Sequence, residues 1–347
     1  MGRVTIDRYH RQILLPQIGR EGQVRLSAAR VLLVGCGALG STIAEQLVRA
    51  GIGFLRIVDR DIVEMTNLQR QVLFDETDAR EGTPKAVAAV NRLRAINSEI
   101  RVEACVSDLH QENVESLIRD SGGVVDLILD GTDNVETRYL LNDAAVKHRV
   151  PWVYGACVGT EGRAMSIKPG MTACLRCLFP QPPGPGELPT CDTAGVLGPV
   201  AGMVASAQVI AAIRILTQDQ AGELVRIDGW NSAMRSSPTL EARRTDCVTC
   251  GLRRFEFLDS TARGTVQLCG RDAIQVRPTG ATQVDLKQLA VKLAPIGTVR
   301  ATQFLMRFEA SEDPTVHFTI FADGRALLKG VSDPIRARSL YARYVGS

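Results

Sequence analysis

The run Arg30-Val-Leu-Leu-Val34, followed at once by Gly35-Cys-Gly-Ala-Leu-Gly40, constrains the fold more than any other part of the chain. A short apolar run of this kind suits a buried strand, and closely spaced glycines suit a turn that brings bare backbone against another group. Ser41–Ala50 then reads as a helix, and Phe54–Val58 as a second strand that ends at Asp59. Strand, glycine turn, helix, strand and acid form the βαβ pattern in which a helix N-terminus meets phosphate. The alternation continues with helices expected over Pro84–Ile96, Asn113–Ile118 and Glu136–Lys147, and strands over Arg101–Ala104, Val125–Leu129 and Trp152–Tyr154. The expected architecture is therefore α/β: a Rossmann-like, mostly parallel sheet with helices on both faces.

Composition sets the limits around this core. A chain of 347 residues, 45% hydrophobic and 23% charged, has length for about two domains and is neither disordered nor collagen-like. Its net charge of +3 is too mild to announce a nucleic-acid partner. Met1–Gln12 is polar, without the apolar run of a targeting signal, so a cytoplasmic protein is expected. Thr193–Ile213 carries no charge, but Gly, Ala and Pro stand where a membrane span would carry Leu and Phe. It reads as a buried, close-packed helix starting near Pro199.

Asp59 lies 24 residues after Gly35, where an acid hydrogen-bonds ribose hydroxyls. NAD and ATP both present those hydroxyls, so a nicotinamide-dependent oxidoreductase and an ATP-using enzyme both fit the glycine turn. Three local groups favour ATP: Asn67-Leu-Gln-Arg70 after Asp59-Arg-Asp61, Gly82-Thr-Pro-Lys85, and Gly131-Thr-Asp-Asn134 after a strand. Ligands of an open parallel sheet lie beyond the carboxyl ends of its strands, so Asp59 and Asp133 should face one crevice, with Arg70 and Lys85 in reach. Splitting a triphosphate needs cations on the phosphates and a carboxylate for Mg²⁺. Singly, each has a plainer reading: Arg70 as a surface ion pair, Lys85 as a solvated helix residue, Asp133 as a helix cap. Lysine is otherwise scarce, with 6 against 35 arginines, and Lys85 is the only one before Lys147.

Nine cysteines are too few for a disulfide scaffold at this length. Cys174-x-x-Cys177 and Cys247-x-x-Cys250 have the spacing of a Cys₄ zinc site, with reduced structural thiols or a redox pair as alternatives.

Taken together these motifs resemble the MoeB/ThiF family, bacterial relatives of ubiquitin-activating enzymes. The resemblance rests on Arg8-Tyr-His-Arg-Gln12, Gly35-x-Gly-x-x-Gly40, Asp59-x-Asp61, Asn67-Leu-Gln-Arg-Gln71, Gly82-x-Pro-Lys85, Thr132-Asp-Asn134, Thr190-Cys-x-Thr-Ala-Gly-Val196 and the two cysteine pairs. It runs from about residue 7 to 251. It implies ATP-dependent adenylation of the C-terminal Gly-Gly carboxylate of a ubiquitin-like sulfur-carrier protein, with release of pyrophosphate. By the same resemblance Gly35, Gly37 and Gly40 would line the nucleotide pocket, and Asp59, with Asp61 beside it, would hold the ribose. Asn67, Arg70 and Lys85 would contact phosphates, Asp133 would bind Mg²⁺, and the four paired cysteines would hold a structural Zn²⁺. Arg11 would reach the ATP of the neighbouring subunit of a homodimer. The sulfur would come from a separate donor, a cysteine desulfurase or rhodanese. Cys191 follows the proline- and glycine-rich Gln181-Pro-Pro-Gly-Pro-Gly-Glu-Leu-Pro189 and in one branch of the family links covalently to the carrier. Packing near a helix start is its plainer role. A catalytically silent scaffold is the remaining alternative within the family.

Residues 255–347 fall outside the resemblance. Residues 251–347 carry 14 basic and 9 acidic side chains, net +5, against 27 and 29, net −2, in residues 1–250. Thr265–Val276, Gln303–Phe308 and His317–Phe321 read as strands, Leu286–Ala294 and Asp333–Tyr344 as helices, and Asp323-Gly324 as a hairpin turn. The expectation is a small α+β domain after an adenylation domain of residues 1–254. It is not a rhodanese, because Cys269 heads no anion-binding loop. It would serve as a docking module for an acidic carrier or as a stabilising appendage.

Overall fold

In the computed structural model, which describes residues 6–184, 187, 191–259, 266–267, 273–276, 284–302 and 304–346, two helices precede the glycine turn. These are α1 (Ile6–Ile13) and α2 (Gly19–Ala28). The chain then forms β1 (Arg30–Val34), α3 (Ala38–Ala50) and β2 (Phe54–Val58), as the sequence predicts. A 3₁₀ turn over Met65–Asn67 leads to α4 (Glu76–Glu81), α5 (Lys85–Ile96) and β3 (Arg101–Cys105). Next come α6 (Val114–Ile118), a two-residue hairpin of β4 (Arg119–Asp120) and β5 (Gly123–Val124), then β6 (Leu127–Asp130), α7 (Val135–His148) and β7 (Trp152–Val158). The remaining elements of this part are β8 (Glu161–Ile167), α8 (Leu175–Leu178), α9 (Cys191–Ala194), α10 (Gly198–Gln218), β9 (Glu223–Asp228) and β10 (Ala233–Pro238).

These strands make one eight-stranded sheet in the order β10-β9-β8-β7-β6-β1-β2-β3. β3, β2, β1, β6 and β7 run parallel, and β8, β9 and β10 continue the sheet antiparallel. The wholly buried Val31, Leu32 and Leu33 of β1 explain its continuous apolar sequence, because strands covered on both faces need no alternation. Ile43 and Leu47 of α3 are wholly buried one turn apart, and each contributes roughly 2 kcal/mol of burial. α10 is long and apolar enough to cross a membrane by composition, yet it packs on β7, β8 and α3. Its mid-helix Gln208 is wholly buried and donates from Nε2 to the Asp130 carbonyl at 2.7 Å. Pro199 lies in its first turn, where its missing N–H costs nothing.

Contacts divide the chain into two units, Met1–Ser260 and Thr261–Ser347. The first continues a few residues past 254, since buried Leu258 joins its core and the Phe257 N–H donates to Asp143 Oδ2 at 2.9 Å. The second unit contains β11 (Val266–Gln267), β12 (Ala273–Val276), α11 (Leu286–Leu293), β13 (Gly297–Ala301), β14 (Leu305–Ala310), β15 (His317–Phe321), β16 (Ala326–Lys329) and α12 (Pro334–Tyr344). Its strands form an antiparallel sheet in the order β11-β12-β16-β15-β14-β13. Phe308, Phe318 and Tyr344 meet with ring centroids 5.2–5.7 Å apart and knit α12 to the sheet. Asp323 and Gly324 (φ +79°) form the predicted turn between β15 and β16. Cys269 falls outside the described residues.

Candidate active site

The strand order reverses between β1 and β6, which places the ligand crevice at the carboxyl ends of these strands. There the two loops meet backbone to backbone. Gly35 has φ +83°, and a Cβ on it would lie 2.8 Å from the Gly131 carbonyl. A Cβ on Gly40 would lie 1.9 Å from the Gly35 oxygen. Gly37 caps α3 without a side-chain hydrogen bond, and a Cβ there would meet only Gln71 Nε2, at 3.8 Å. Among the described residues no side chain caps the N-terminus of α3, and a helix start left uncapped is the ordinary arrangement for holding phosphate. Gly40→Ala should therefore force the turn apart. We expect a loss of several degrees in melting temperature together with lost ATP binding by calorimetry; wild-type ATP affinity in this variant would refute the role of the close approach.

Asp59 is buried at the end of β2. Its Oδ2 accepts the Cys36 N–H at 2.6 Å and its Oδ1 accepts the Asp61 N–H at 2.7 Å. The acid thereby ties the glycine turn to the second strand, and each oxygen keeps a lone pair for a ligand hydroxyl. Burial pushes the Asp59 carboxyl above the usual range, against the opposing charge of Lys85. Burial likewise holds Cys36 as a neutral thiol. Lys85, only 4% exposed, opens α5, and its Nζ lies 3.2 Å from Asp61 Oδ2. It is not a solvated helix residue. Arg60 pairs with Asp108 at 3.2 Å; burial opposes its charge, but Asp108, Asp61, Asp133 and Asp59 together hold the guanidinium ionised.

Asn67 is buried, and its Oδ1 takes the Glu64 N–H at 3.0 Å, which leaves the amide NH₂ for a ligand. Arg70 donates to the Thr66 carbonyl at 2.8 Å rather than to an acid, and its Cβ packs at the start of α10 beside Gly198. Asp133 is exposed after β6 and has no hydrogen-bond or ion-pair partner among the described residues. It is not the helix cap: Asn134 Oδ1 caps α7 by accepting the Thr137 N–H at 2.9 Å.

Sequence reasoning missed the residues that shape this loop. Wholly buried Asp130 takes the Thr132 N–H at 2.9 Å and its hydroxyl at 2.7 Å on one oxygen, and Arg138 Nε at 3.3 Å on the other. Arg138 also donates to the carbonyls of Thr132 and Gly155 at 2.6 and 3.1 Å. Gln71 stands in a quoted motif without an assigned role; it is buried beside Gly37, and its Oε1 has no partner among the described residues. The Asp-x-Thr spacing at 130–132 was a usable signal for a side chain folding back on its own loop.

Arg11 is not brought into this crevice. Gln12 Nε2 donates to the Ala50 carbonyl at 2.9 Å, and the Tyr9 hydroxyl accepts from Asn97 at 2.9 Å. The first contact fastens α1 to the far end of α3, about 20 Å from the glycine turn, and the second ties it to the end of α5, where Asn97 also donates to the Val48 carbonyl of α3 at 3.0 Å. Arg11 is exposed there. Cys191 opens α9, but its side chain lies outside the described residues. The segment after it is pinned by Gly159, whose N–H donates to the Gly195 carbonyl at 2.8 Å.

Cys174, Cys177, Cys247 and Cys250 converge, with sulfur atoms all within 4.8 Å of one another. Cys174 to Cys247, Cys177 to Cys250 and Cys174 to Cys177 are 3.5, 3.4 and 3.9 Å. A tetrahedral Zn²⁺ with bonds of about 2.3 Å needs sulfurs about 3.8 Å apart, so the set fits that ion. N–H groups of Arg244 and Asn142 reach Cys177 and Cys174 at 3.5 and 3.8 Å, as thiolate ligands favour. With four protein ligands no position is left for substrate, which makes such a site structural.

Comparison with known proteins gives a consistent picture. The ThiF family model matches residues 9–249. The sulfur carrier protein ThiS adenylyltransferase of Bacillus subtilis (strain 168) is 41% identical over 343 residues, covering 98% of this chain and 99% of that protein. That match includes the C-terminal unit. The sulfur carrier protein adenylyltransferase of Thermus thermophilus is 42% identical over 255 residues, 71% of this chain and 91% of that one. Among solved structures, Escherichia coli MccB with ATP superposes with a TM-score of 0.60 at 23% identity, covering 70% of this chain and 74% of that one. This last likeness concerns the fold alone.

Proposed function

The chain belongs to the ThiF family, and we propose that it activates a ThiS-type sulfur carrier, a ubiquitin-like protein ending in Gly-Gly. The match to a ThiS adenylyltransferase across both units carries this reading. The reaction adenylates the carrier's C-terminal carboxylate. A carboxylate oxygen attacks the α-phosphorus of ATP, the bond from that phosphorus to the bridging oxygen breaks, and pyrophosphate leaves with the electron pair. The resulting acyl-adenylate is an electrophile that a sulfur nucleophile can attack.

The open N-terminus of α3 at Gly37, with Lys85, Arg70 and the Asn67 amide, would hold the phosphates. Asp59, steadied by the Asp61 N–H, would receive the ribose hydroxyls. Mg²⁺ would be held by Asp133, a hard oxygen donor, and would neutralise phosphate charge. Asp130 and Arg138 would fix the loop from which Asp133 projects. Arg11, remote from its own crevice, would serve the neighbouring subunit of a homodimer. Zn²⁺ would occupy the four-cysteine set, and sulfur would arrive from a separate cysteine desulfurase or rhodanese.

ATP–pyrophosphate exchange tests the reading. Exchange should require both a ThiS-type carrier and its terminal glycine, and should be lost when that glycine is removed. Failure of any Gly-Gly carrier to support exchange would reject it.

A further inference from the structure

Arg60 is a cation of the crevice to which the activation reaction assigns no work. It follows Asp59 at the end of β2, and 21% of its side chain is exposed. Its Nη1 lies 3.2 Å from Asp108 Oδ2, and its Nε 3.8 Å from Asp61 Oδ1. Asp108 belongs to the loop after β3 and is fixed in its turn, because Asn113 Nδ2 donates to its carbonyl at 2.7 Å. The two strand ends are joined where the Asp59 N–H donates to the Cys105 carbonyl at 3.1 Å. Arg60 is therefore held between two loops whose own positions are set.

Four carboxylates, those of Asp108, Asp61, Asp133 and Asp59, act on this guanidinium. So much opposing charge leaves it little attraction to spare for a triphosphate. What it still offers is its shape. A guanidinium is flat, and contacts to Asp108 and Asp61 run along its edge, which leaves a face for stacking. The geometry of a bound nucleotide brings its base to this place. Phosphates at the start of α3 lie beyond β1, and Asp59, the acid for the ribose, ends β2. A base leaves its sugar on the side away from the phosphates. That direction runs from β2 toward β3, the next strand of the sheet, about 4.8 Å further on. Arg60 and Asp108 stand there.

We infer that Arg60 is the platform on which the nucleobase stacks, with Asp108 holding its plane, and that the site thereby prefers a purine to a pyrimidine. The inference rests on the ATP site proposed above. A guanidinium within about 6 Å of an aromatic ring is attracted by the ring's electrons, and the two fused rings of a purine cover more of it than the single ring of a pyrimidine. Asp108 is the positioning residue: it touches no nucleotide and acts by fixing the tilt of the guanidinium. Lysine cannot replace arginine in this role, since an ammonium carries the same charge without a flat face.

Calorimetry on the full chain with Mg²⁺ and no carrier tests the platform with three probes: ATP, CTP and inorganic tripolyphosphate, which has no base. The wild type should bind ATP more tightly than CTP. Arg60→Lys keeps the charge and loses the plane. Its Kd for ATP should rise about tenfold and that for CTP by less, with tripolyphosphate binding unchanged. Arg60→Phe restores a flat face without the charge and should recover the preference for ATP over CTP. Asp108→Ala should weaken ATP by a smaller factor, again sparing tripolyphosphate. In pyrophosphate exchange, Arg60→Lys should raise the KM for ATP in step with its Kd and leave the KM for a ThiS-type carrier unaltered. Wild-type ATP affinity and base preference in Arg60→Lys would overturn the platform while leaving the function intact. Equal weakening of ATP and tripolyphosphate in that variant would put Arg60 on the phosphates and overturn the platform as well. A wild-type protein that shows the base preference yet supports no exchange with any Gly-Gly carrier would reject the proposed function and leave the platform standing. Absence of ATP binding by the wild type would overturn both.

Discussion

Replacing Cys247 by serine is expected to strip bound zinc from the protein and lower its melting temperature by about 10 °C. The two halves of the cysteine cluster lie 73 residues apart in sequence. A cross-link closing a loop of that length is worth about 4 kcal/mol through the unfolded state alone. The cluster also anchors the chain that returns beside α7. Thr249 donates to the buried Asp143 carboxylate at 2.9 Å, and Phe257 follows it there. A freed 247–250 segment would leave that carboxylate buried without its partners, so the loss exceeds that of one ligand. A chelator should reproduce the shift in the wild type and added zinc reverse it, while neither changes the variant. ATP affinity should hold, because Asn142, which touches Cys174, lies about 13 Å along α7 from Asp133. A zinc-free wild-type protein with an unchanged melting temperature would dismiss the metal.

The parts of the molecule legible in the sequence are those whose cause is local. β1, its glycine turn and β2 follow from apolar runs and close backbone approach, and their observed limits match the expected ones. The convergence of the cysteine pairs was readable because the two Cys-x-x-Cys spacings are those of a Cys₄ set, and the four sulfurs do meet. Distant pairings were harder. Asp130 lies one residue past the expected strand Val125–Leu129, and nothing in sequence says that Arg138, eight positions on, turns back to meet it. β10, with the sequence Ala-Met-Arg-Ser-Ser-Pro, has weak strand character and exists because β9 offers an edge to pair with. The charge imbalance of the last hundred residues marked a separate unit, and contacts place the division at Ser260, where the packing of Leu258 ends the first core. The reading of that unit as a departure from related enzymes is corrected by the Bacillus match, which runs through it. Arg70, Lys85 and Asp133 each had a plainer role open to them. Burial, a backbone carbonyl partner and the capping of α7 by Asn134 removed those roles one by one.

Lys85→Ala should reduce the rate of pyrophosphate exchange by about 100- to 1,000-fold, the usual consequence of deleting one fixed charge that stabilises a transition state. The side chain is almost fully enclosed, and Asp61 holds its Nζ at 3.2 Å, so the ammonium is positioned before substrate arrives. Water cannot replace it at equal strength, because an enclosed charge acts through a lower dielectric than a solvated one. Circular dichroism should show a folded protein, since Lys85 is the first residue of α5 and its backbone N–H keeps its 2.9 Å bond to the Asp61 carbonyl whatever the side chain. A rate within tenfold of wild type would remove the lysine from the phosphate site. The same variant examines the dimer. Arg11→Ala should also be nearly inactive if Arg11 completes the partner's site. Equal amounts of the two folded variants should then be mixed and allowed to exchange subunits. Half the dimers would be mixed and each would hold one site with both cations intact, so activity should recover to about a quarter of wild type. If each chain used its own Arg11 and Lys85, every site would lack one of them and mixing would restore nothing. The structure favours the first arrangement, because α1 is fastened at the far end of α3, away from its own crevice.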